Sequence, residues 1–134
     1  MLLIGGGDVR VALVDRLLSQ GDEVRVIEED RDQADDLSRR GAHVAVGAPD
    51  DADLIERAAQ GVRSVIVMDD KRYDLGAVVE AVCDGAAAAG RDIRIIVSGA
   101  DVPRPTVASL RRSGLEFVVI HCHNGCGRPE WGDR

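Results

Sequence analysis

The chain has 134 residues, of which 45% are hydrophobic and 31% charged, and a formal net charge of −7 at pH 7. This length and composition predict one globular domain with a buried core. The acidic balance argues against a nucleic-acid or anionic-membrane surface, since both require a concentrated basic patch. The first residues carry no basic leader, and the three cysteines have no framework spacing, so we expect a cytoplasmic protein.

Short β-branched runs alternate with stretches of helical periodicity. The predicted strands are 2–4, 23–27, 43–46, 64–68, 93–97 and 116–120. Helical spacing of apolar residues covers about 9–18, 31–40, 51–60, 74–89 and 104–113, and a glycine follows each stretch as a left-handed stop. This alternation predicts an α/β fold, a single Rossmann-like doubly wound parallel sheet with about six strands and five helices. We expect this domain to span residues 1–120, with 121–134 as a C-terminal tail.

Three consecutive glycines follow the first predicted strand. In a doubly wound fold this turn binds the pyrophosphate of a dinucleotide, because glycine lets backbone amides approach phosphate and the next helix offers its positive N-terminus. Gly5 and Gly7 match the first two glycines of G-x-G-x-x-G, and Arg10 stands in place of the third. The Arg10 side chain has two options, to point outward into solvent or to fold over the turn and bond phosphate oxygens, and we favour the second. The predicted phosphate-binding segment is therefore Gly5, Gly6, Gly7, Asp8, Val9 and Arg10.

The second predicted strand ends in the acidic run "VIEED". An acid about 20 residues after the glycines accepts hydrogen bonds from both ribose hydroxyls of a bound nucleotide. Glu28 has this spacing from Gly7. Because a carboxylate there repels a 2′-phosphate, the sequence predicts NAD(H) rather than NADP(H) as the ligand, with ADP or ATP as the alternative.

Four segments of the chain carry a family resemblance: "GGGDV", "VIEEDRDQADDL", "VAVGAPDDADLIERA" and "VIVMDDKRYDLGAVVEAV". They resemble the regulator of potassium conductance family, whose nucleotide-binding half is called the TrkA-N domain, over residues 1 to about 120. The resemblance implies that Glu28 is the ribose acid and that Gly47 follows the third strand. Ala48 stands where the family usually has an aspartate beside the adenine. The rim of the implied site comprises Glu29, Gly47, Ala48, Met68, Asp69 and Asp70.

The same resemblance implies a regulatory role and partners. A domain of this family would bind nucleotide and pass a conformational change to a partner, such as a membrane ion transporter on a separate chain, with a possible link to potassium transport. The last predicted helix and strand often take part in dimer contacts in this family. We therefore expect a homodimer whose contact includes Val107, Leu110, Leu115 and Phe117.

Two alternatives to the regulatory role follow from the sequence. Three segments, "RLLSQGDEVRVI", "AAQGVRSVIVM" and "LRRSGLEFVVIHC", resemble the atypical short-chain reductases and their NmrA-like relatives, which implies a small NAD(P)-dependent oxidoreductase. Reductases of that kind use a Tyr and a Lys four residues apart, whereas Lys71 precedes Tyr73 by two, so no catalytic residue is predicted. The second alternative is a degenerate Rossmann domain that serves as a dimerisation scaffold, for which Arg10 and Ala48 argue.

The tail contains potential metal ligands. His121, Cys122, His123 and Cys126 have side chains that bind zinc. Ligands this close together seldom close a tetrahedron around one ion, and no second ligand pair exists elsewhere. We therefore predict no metal site and expect a flexible end.

Overall fold

The computed structural model describes the backbone of residues 1–122 and 126–132 and the side chains of residues 1–121. Strands and helices alternate along this part of the chain until its last two elements, which are both strands. No helix within it is long and apolar enough to cross a bilayer. The elements are β1 (Leu2–Gly5), α1 (Gly7–Ser19), β2 (Arg25–Glu28), α2 (Arg31–Arg40), β3 (His43–Val46), α3 (Ala52–Ala58), β4 (Ser64–Met68), α4 (Leu75–Ala89), β5 (Arg94–Gly99), α5 (Arg104–Arg112), β6 (Phe117–Cys122) and β7 (Cys126–Gly132).

The strands form one sheet in the order β3-β2-β1-β4-β5-β6-β7. Strands β1 to β6 pair in parallel, which confirms the predicted Rossmann-like α/β fold with six parallel strands and five helices. Strand β7 lies in the predicted tail and pairs antiparallel with β6, so the expectation of a flexible end is wrong for residues 126–132. The strand order reverses between β1 and β4, so a crevice for ligands is expected at the carboxyl ends of these two strands.

The sheet separates two layers of aliphatic core. Successive side chains of a strand point to opposite faces, so Leu2 and Ile4 pack with the cluster that includes residues of α3, α4 and α5. Leu3 packs on the other face, with Val14 of α1 and Leu37 of α2. Burial of β1 on both faces explains why its sequence is a continuous apolar run rather than an alternating one.

Most predicted element bounds agree with the structure to within one or two residues, and those of α2, β3 and β4 agree at both ends. The backbone conformation at the end of α4 differs from the predicted one. Gly90, after α4, has a φ of 175°, which is extended backbone, so the predicted left-handed stop is wrong there. The glycines that follow the other four helices do have positive φ angles, at Gly21, Gly41, Gly61 and Gly114.

The structure buries three of the four residues of the predicted dimer contact. Leu110, Leu115 and Phe117 are almost completely buried inside the monomer, and Val107 packs against the same cluster. These side chains fill the space between α5 and the sheet because they are the apolar residues of that helix and of the strand that follows. Leu110, Leu115 and Phe117 are therefore covered by the chain itself, whereas Val107 is only partly buried, and the homodimer stays a prediction.

Candidate functional site

The glycine turn joins β1 to α1 where the backbone passes close to β4. All three glycines have positive φ angles, of 77° at Gly5, 97° at Gly6 and 50° at Gly7. A Cβ atom on Gly5 would lie 2.3 Å from the carbonyl oxygen of Met68, and one on Gly6 would lie 2.9 Å from the Met68 sulfur. A Cβ on Gly7 would meet no atom within 4 Å. The first two glycines are thus packed too closely against β4 to carry a side chain, whereas the third has free space where a Cβ would lie.

A carboxylate of the chain itself lies at the N-terminus of α1. This helix begins after Gly6, which provides no side-chain cap. The Gly7 amide donates to Asp70 Oδ2 at 3.3 Å, and the same oxygen accepts from Arg72 Nη2 at 3.0 Å. Arg72 Nε also donates to Asp70 Oδ1 at 3.1 Å. The Arg72 side chain lowers the pKa of Asp70 below its ordinary value despite partial burial, so Asp70 is an anion at a position suited to a phosphate.

Glu28, at the end of β2, is buried, with its side chain only 1% exposed. Its Oε1 accepts from Arg10 Nη2 at 2.6 Å and from Arg72 Nη2 at 3.0 Å. Its Oε2 accepts from Arg72 Nη1 at 3.1 Å and from the Asp30 amide at 2.7 Å. Burial raises the pKa of Glu28, but the bonds from Arg72, Arg10 and the Asp30 amide outweigh it and lower the pKa to about 2. With four donors on two oxygens, Glu28 can accept from a ribose only after Arg72 moves.

Arg10 differs from its expected orientation. Its side chain is buried, and Nη2 donates to Glu28 and, at 3.3 Å, to Gln33 Oε1 in α2. Arg10 therefore connects α1 with the end of β2 and with α2, rather than extending over the glycine turn towards a phosphate. The carboxylate of Glu28 attracts the guanidinium in this direction. Arg10 Nε and Nη1 are buried and have no hydrogen-bond partner among the described residues.

The sequence analysis missed Arg72 as a residue of the site. It lies in the loop between β4 and α4, with its guanidinium carbon 5.0 Å from the centre of the Tyr73 ring. This loop brings Arg72 to Glu28, 44 residues away in the sequence. One sequence feature could have indicated Arg72. It is the basic pair of Lys71 and Arg72 inside the acidic segment "DDKRYD", which follows β4, one of the two strands between which the strand order reverses.

The other predicted residues lie around this cluster at the same edge of the sheet. The Gly47 amide donates to the Glu28 carbonyl at 3.1 Å, and the Asp69 amide donates to the Ser98 carbonyl at 2.9 Å. Val46, which pairs with Glu28 in the sheet, is 52% exposed and was not predicted as a site residue. Asp8, Val9, Glu29 and Asp69 are exposed, and Ala48 and Met68 are partly buried.

The crevice beside the glycine turn is almost filled. A cavity of about 10 Å³ remains between Gly5, Met68, Asp70 and Tyr73, which is about the space that one water molecule needs. A wider groove of about 490 Å³ lies at the opposite edge of the sheet, beside Met1 and Arg63. Ligands of doubly wound sheets bind at the carboxyl ends of the strands, so the glycine turn is the candidate site.

The possible metal ligands of the tail cannot be located in the same way. Cys122, His123 and Cys126 lie outside the residues whose side chains the structure describes. Among the described side chains, no group of three or more His, Cys, Asp or Glu residues could hold a metal ion.

The TrkA-N domain family model matches residues 1–121. The chain belongs to the TrkA-N family. Its members are nucleotide-binding Rossmann domains linked to potassium transport, and they typically bind NAD. Among solved structures, the TrkA-N domain of the inner membrane protein ybaL from Escherichia coli is 26% identical, with a TM-score of 0.67 over 90% of this chain and 84% of that chain.

Two reductases share the fold at lower identity. The NADPH-dependent quinone oxidoreductase from Escherichia coli, solved with NADPH, is 20% identical with a TM-score of 0.71, over 87% of this chain and 47% of that chain. The anaerobillin reductase ChuY from Escherichia coli O157:H7 is 18% identical with a TM-score of 0.73, over 90% of this chain and 70% of that chain. The TrkA-N domain thus spans about half the length of the quinone oxidoreductase. No curated protein sequence matches the chain.

Proposed function

We propose that this TrkA-N domain is a sensor that binds NAD(H), or alternatively ADP or ATP, at its glycine turn. The observation that carries the proposal is that the N-terminus of α1 and the buried acid Glu28 lie close together, where the strand order of the sheet reverses. The N-terminus of α1 begins at Gly7, where Gly6 provides no side-chain cap, a Cβ would meet no atom within 4 Å, and the backbone amide donates to Asp70. Glu28, the buried acid at the end of β2, is linked through Arg72 to the same turn.

The proposed ligand contacts follow from these two features. The pyrophosphate would accept hydrogen bonds from the first amides of α1, and the ribose hydroxyls would donate to Glu28 after Arg72 withdraws. The low pKa of Glu28 keeps it ionised, so it would repel the additional phosphate of NADP(H). The exposed side chain of Val46 beside Glu28 offers an apolar surface for the adenine.

We expect binding without turnover. Lys71 and Tyr73 do not have the spacing of a reductase dyad. Burial and a hydrogen bond to Glu29 raise the pKa of Tyr73, which keeps the phenol protonated and makes it a poor proton donor to a substrate. The bound nucleotide would instead bias the conformation of the domain, and a partner chain would respond to it.

The proposed setting is cytoplasmic, with an ion transporter on a separate chain as the partner. The ybaL structure supports this setting, since it is the TrkA-N domain of an inner membrane protein. A homodimer belongs to the same proposal. It would have to use side chains other than Leu110, Leu115 and Phe117, which are buried in the monomer.

Thermal unfolding of the chain with NAD⁺, NADH, NADPH, ADP, ATP and no ligand tests the proposal. A ligand present at 100 times its dissociation constant stabilises the folded state by about 2.7 kcal/mol. We therefore expect a clear rise in Tm with NAD(H) or an adenine nucleotide and a smaller rise with NADPH. Equal Tm values under all conditions would reject nucleotide sensing.

A second candidate function is the scaffold that binds no ligand. Glu28 already accepts four hydrogen bonds, and the crevice beside the glycine turn is almost filled. If the same set of ligands leaves the Tm unchanged, the scaffold becomes the preferred function.

A further inference from the structure

One carboxylate oxygen of this protein lies between a backbone amide at a helix N-terminus and a guanidinium group. Asp70 Oδ2 accepts from the Gly7 amide at the N-terminus of α1 and from the guanidinium of Arg72. An amide at a helix N-terminus and a planar guanidinium are the donors that proteins use to bind phosphate. A Cβ on Gly7 would meet no atom within 4 Å, but the Asp70 side chain is only 6% exposed, so a phosphate could occupy this position only as Asp70 leaves it.

We propose that Asp70 is an internal competitor for the ligand phosphate. In the unliganded protein its carboxylate holds the phosphate-oxygen position, and an entering phosphate expels it. Arg72 stays beside the turn and becomes the cation of the site. This inference rests on the proposed function, because it concerns how the same nucleotide site is opened and closed.

The charges of the cluster explain why the exchange is possible. Asp70 and Glu28 both bind Arg72, and one guanidinium cannot keep all of these contacts while it also binds a phosphate. A phosphate brings its own negative charge to the α1 N-terminus and to Arg72, so it replaces the carboxylate of Asp70 without leaving either donor group unsatisfied. As Arg72 turns towards the phosphate, Glu28 gains free lone pairs for the ribose.

The exchange would also move the loop that follows β4. The Arg72 amide donates to Asp70 Oδ1 at 3.0 Å and the Tyr73 amide donates to the Asp70 carbonyl at 3.0 Å, so the loop is folded around Asp70. Asp74, the next residue, caps α4 by accepting from the Gly76 amide at 3.2 Å. Expulsion of the carboxylate therefore alters the loop directly before α4, which gives ligand binding a route to the rest of the domain.

Calorimetric titration of the full chain with inorganic pyrophosphate, and then with ADP and NADH, tests the inference. The variants are Asp70→Asn, Asp70→Ala and, as a charge-matched control, Asp101→Asn, an exposed acid that follows β5 at the same edge of the sheet. If the competing state is populated to about 90%, its removal tightens binding about tenfold. We expect this gain for Asp70→Ala and a smaller one for Asp70→Asn, whose amide oxygen can still accept from Gly7.

Arg72 provides an independent arm of the test. In the Asp70→Ala background, the change Arg72→Gln should weaken pyrophosphate binding about tenfold, because a charged donor is lost, and should reduce its salt dependence. Tighter binding after Arg72→Gln would mean that Arg72 only blocks the site. The thermal unfolding of each variant, measured without ligand, shows whether it is folded.

The outcomes separate this inference from the proposed function. Equal pyrophosphate affinity of Asp70→Ala and Asp101→Asn, or no binding by any variant, overturns the internal competitor. Nucleotide binding by the unmodified chain that is unaffected by Asp70→Ala overturns the competitor and leaves the proposed function intact. Pyrophosphate binding that tightens in Asp70→Ala, without binding of ADP or NADH to any variant, supports the competitor and rejects nucleotide sensing.

Discussion

Arg10 Nη2 and Glu28 Oε1 lie 2.6 Å apart, and both side chains are only 1% exposed. This ion pair joins the first turn of α1 to the end of β2 at the centre of the candidate site. A charge buried to this extent is tolerated only while its partner is present. The pair therefore holds Glu28, the proposed ribose acid, in place, and its removal should affect both stability and binding.

The stability contribution of the pair can be measured by urea unfolding of Glu28→Gln. We expect a loss of about 3–5 kcal/mol, because the variant leaves the Arg10 charge buried without its counter-ion. Glu116→Gln is the matched control, since Glu116 pairs with Arg94 with both side chains at least one-third exposed. Exposed pairs contribute about 1 kcal/mol or less. Equal losses in the two variants would contradict the structural role of the buried pair.

The low pKa of Glu28 predicts a loss of stability in acid. The folded-state pKa is about 2 and the ordinary value is 4.5, so the folded form binds the proton less tightly than the unfolded form. The stabilisation is thus fully present above about pH 5 and lost as the pH falls towards 2, and it amounts to about 3 kcal/mol. Unfolding curves of the unmodified chain and Glu28→Gln across this range should converge at low pH. Parallel curves would show that Glu28 titrates normally.

Two glycine substitutions at the turn should distinguish an effect on the stability of the fold from an effect on nucleotide binding. Gly5→Ala places a Cβ 2.3 Å from the Met68 carbonyl oxygen, so we expect a loss of at least about 2 kcal/mol of stability. Gly7→Ala has space for its Cβ and should cost only about 1 kcal/mol for its left-handed backbone. Gly7→Ala should nevertheless weaken nucleotide binding, because the methyl group keeps phosphate away from the amides. Denaturation and calorimetry on both variants test these expectations. If Gly7→Ala binds nucleotide as the unmodified chain does, the phosphate site does not lie at the N-terminus of α1.

Glu28 should also discriminate between ribose and ribose 2′-phosphate. Calorimetry should give tighter binding of NADH than of NADPH to the unmodified chain, and Glu28→Gln should lose about 1.5–3 kcal/mol of NADH binding. Glu116→Gln should bind NADH as the unmodified chain does. A preference of the unmodified chain for NADPH would remove Glu28 from the ribose site.

The absence of a reductase dyad predicts that bound nicotinamide is not turned over. NADH absorbance should stay constant in the presence of aldehydes, ketones or quinones, both for the unmodified chain and for Tyr73→Phe. Steady oxidation of NADH that is lost in Tyr73→Phe would favour the oxidoreductase alternative.

The sequence by itself determined the architecture. Its apolar runs alternate between strand and helix periodicity, and this local pattern predicted the type of every element from β1 to β6 and its bounds to within about two residues, whereas β7 was not predicted. The glycine run after β1 and the acid at the end of β2 also followed from local spacing, because the fold brings both to one edge of the sheet. The relation to the TrkA-N family rested on these same local segments, and the match over residues 1–121 confirmed it.

Only the tertiary structure decided how the charged side chains pair. Arg10 contacts a carboxylate 18 residues away, and Arg72 contacts the same carboxylate across 44 residues. No sequence period specifies such contacts, because they depend on where helix α1, the end of β2 and the loop after β4 meet once the sheet has formed. The burial of Leu110 and Phe117 in the monomer had the same origin. An apolar helix face indicates that something covers it, and the packing of the folded chain decides whether that is its own sheet or a second subunit.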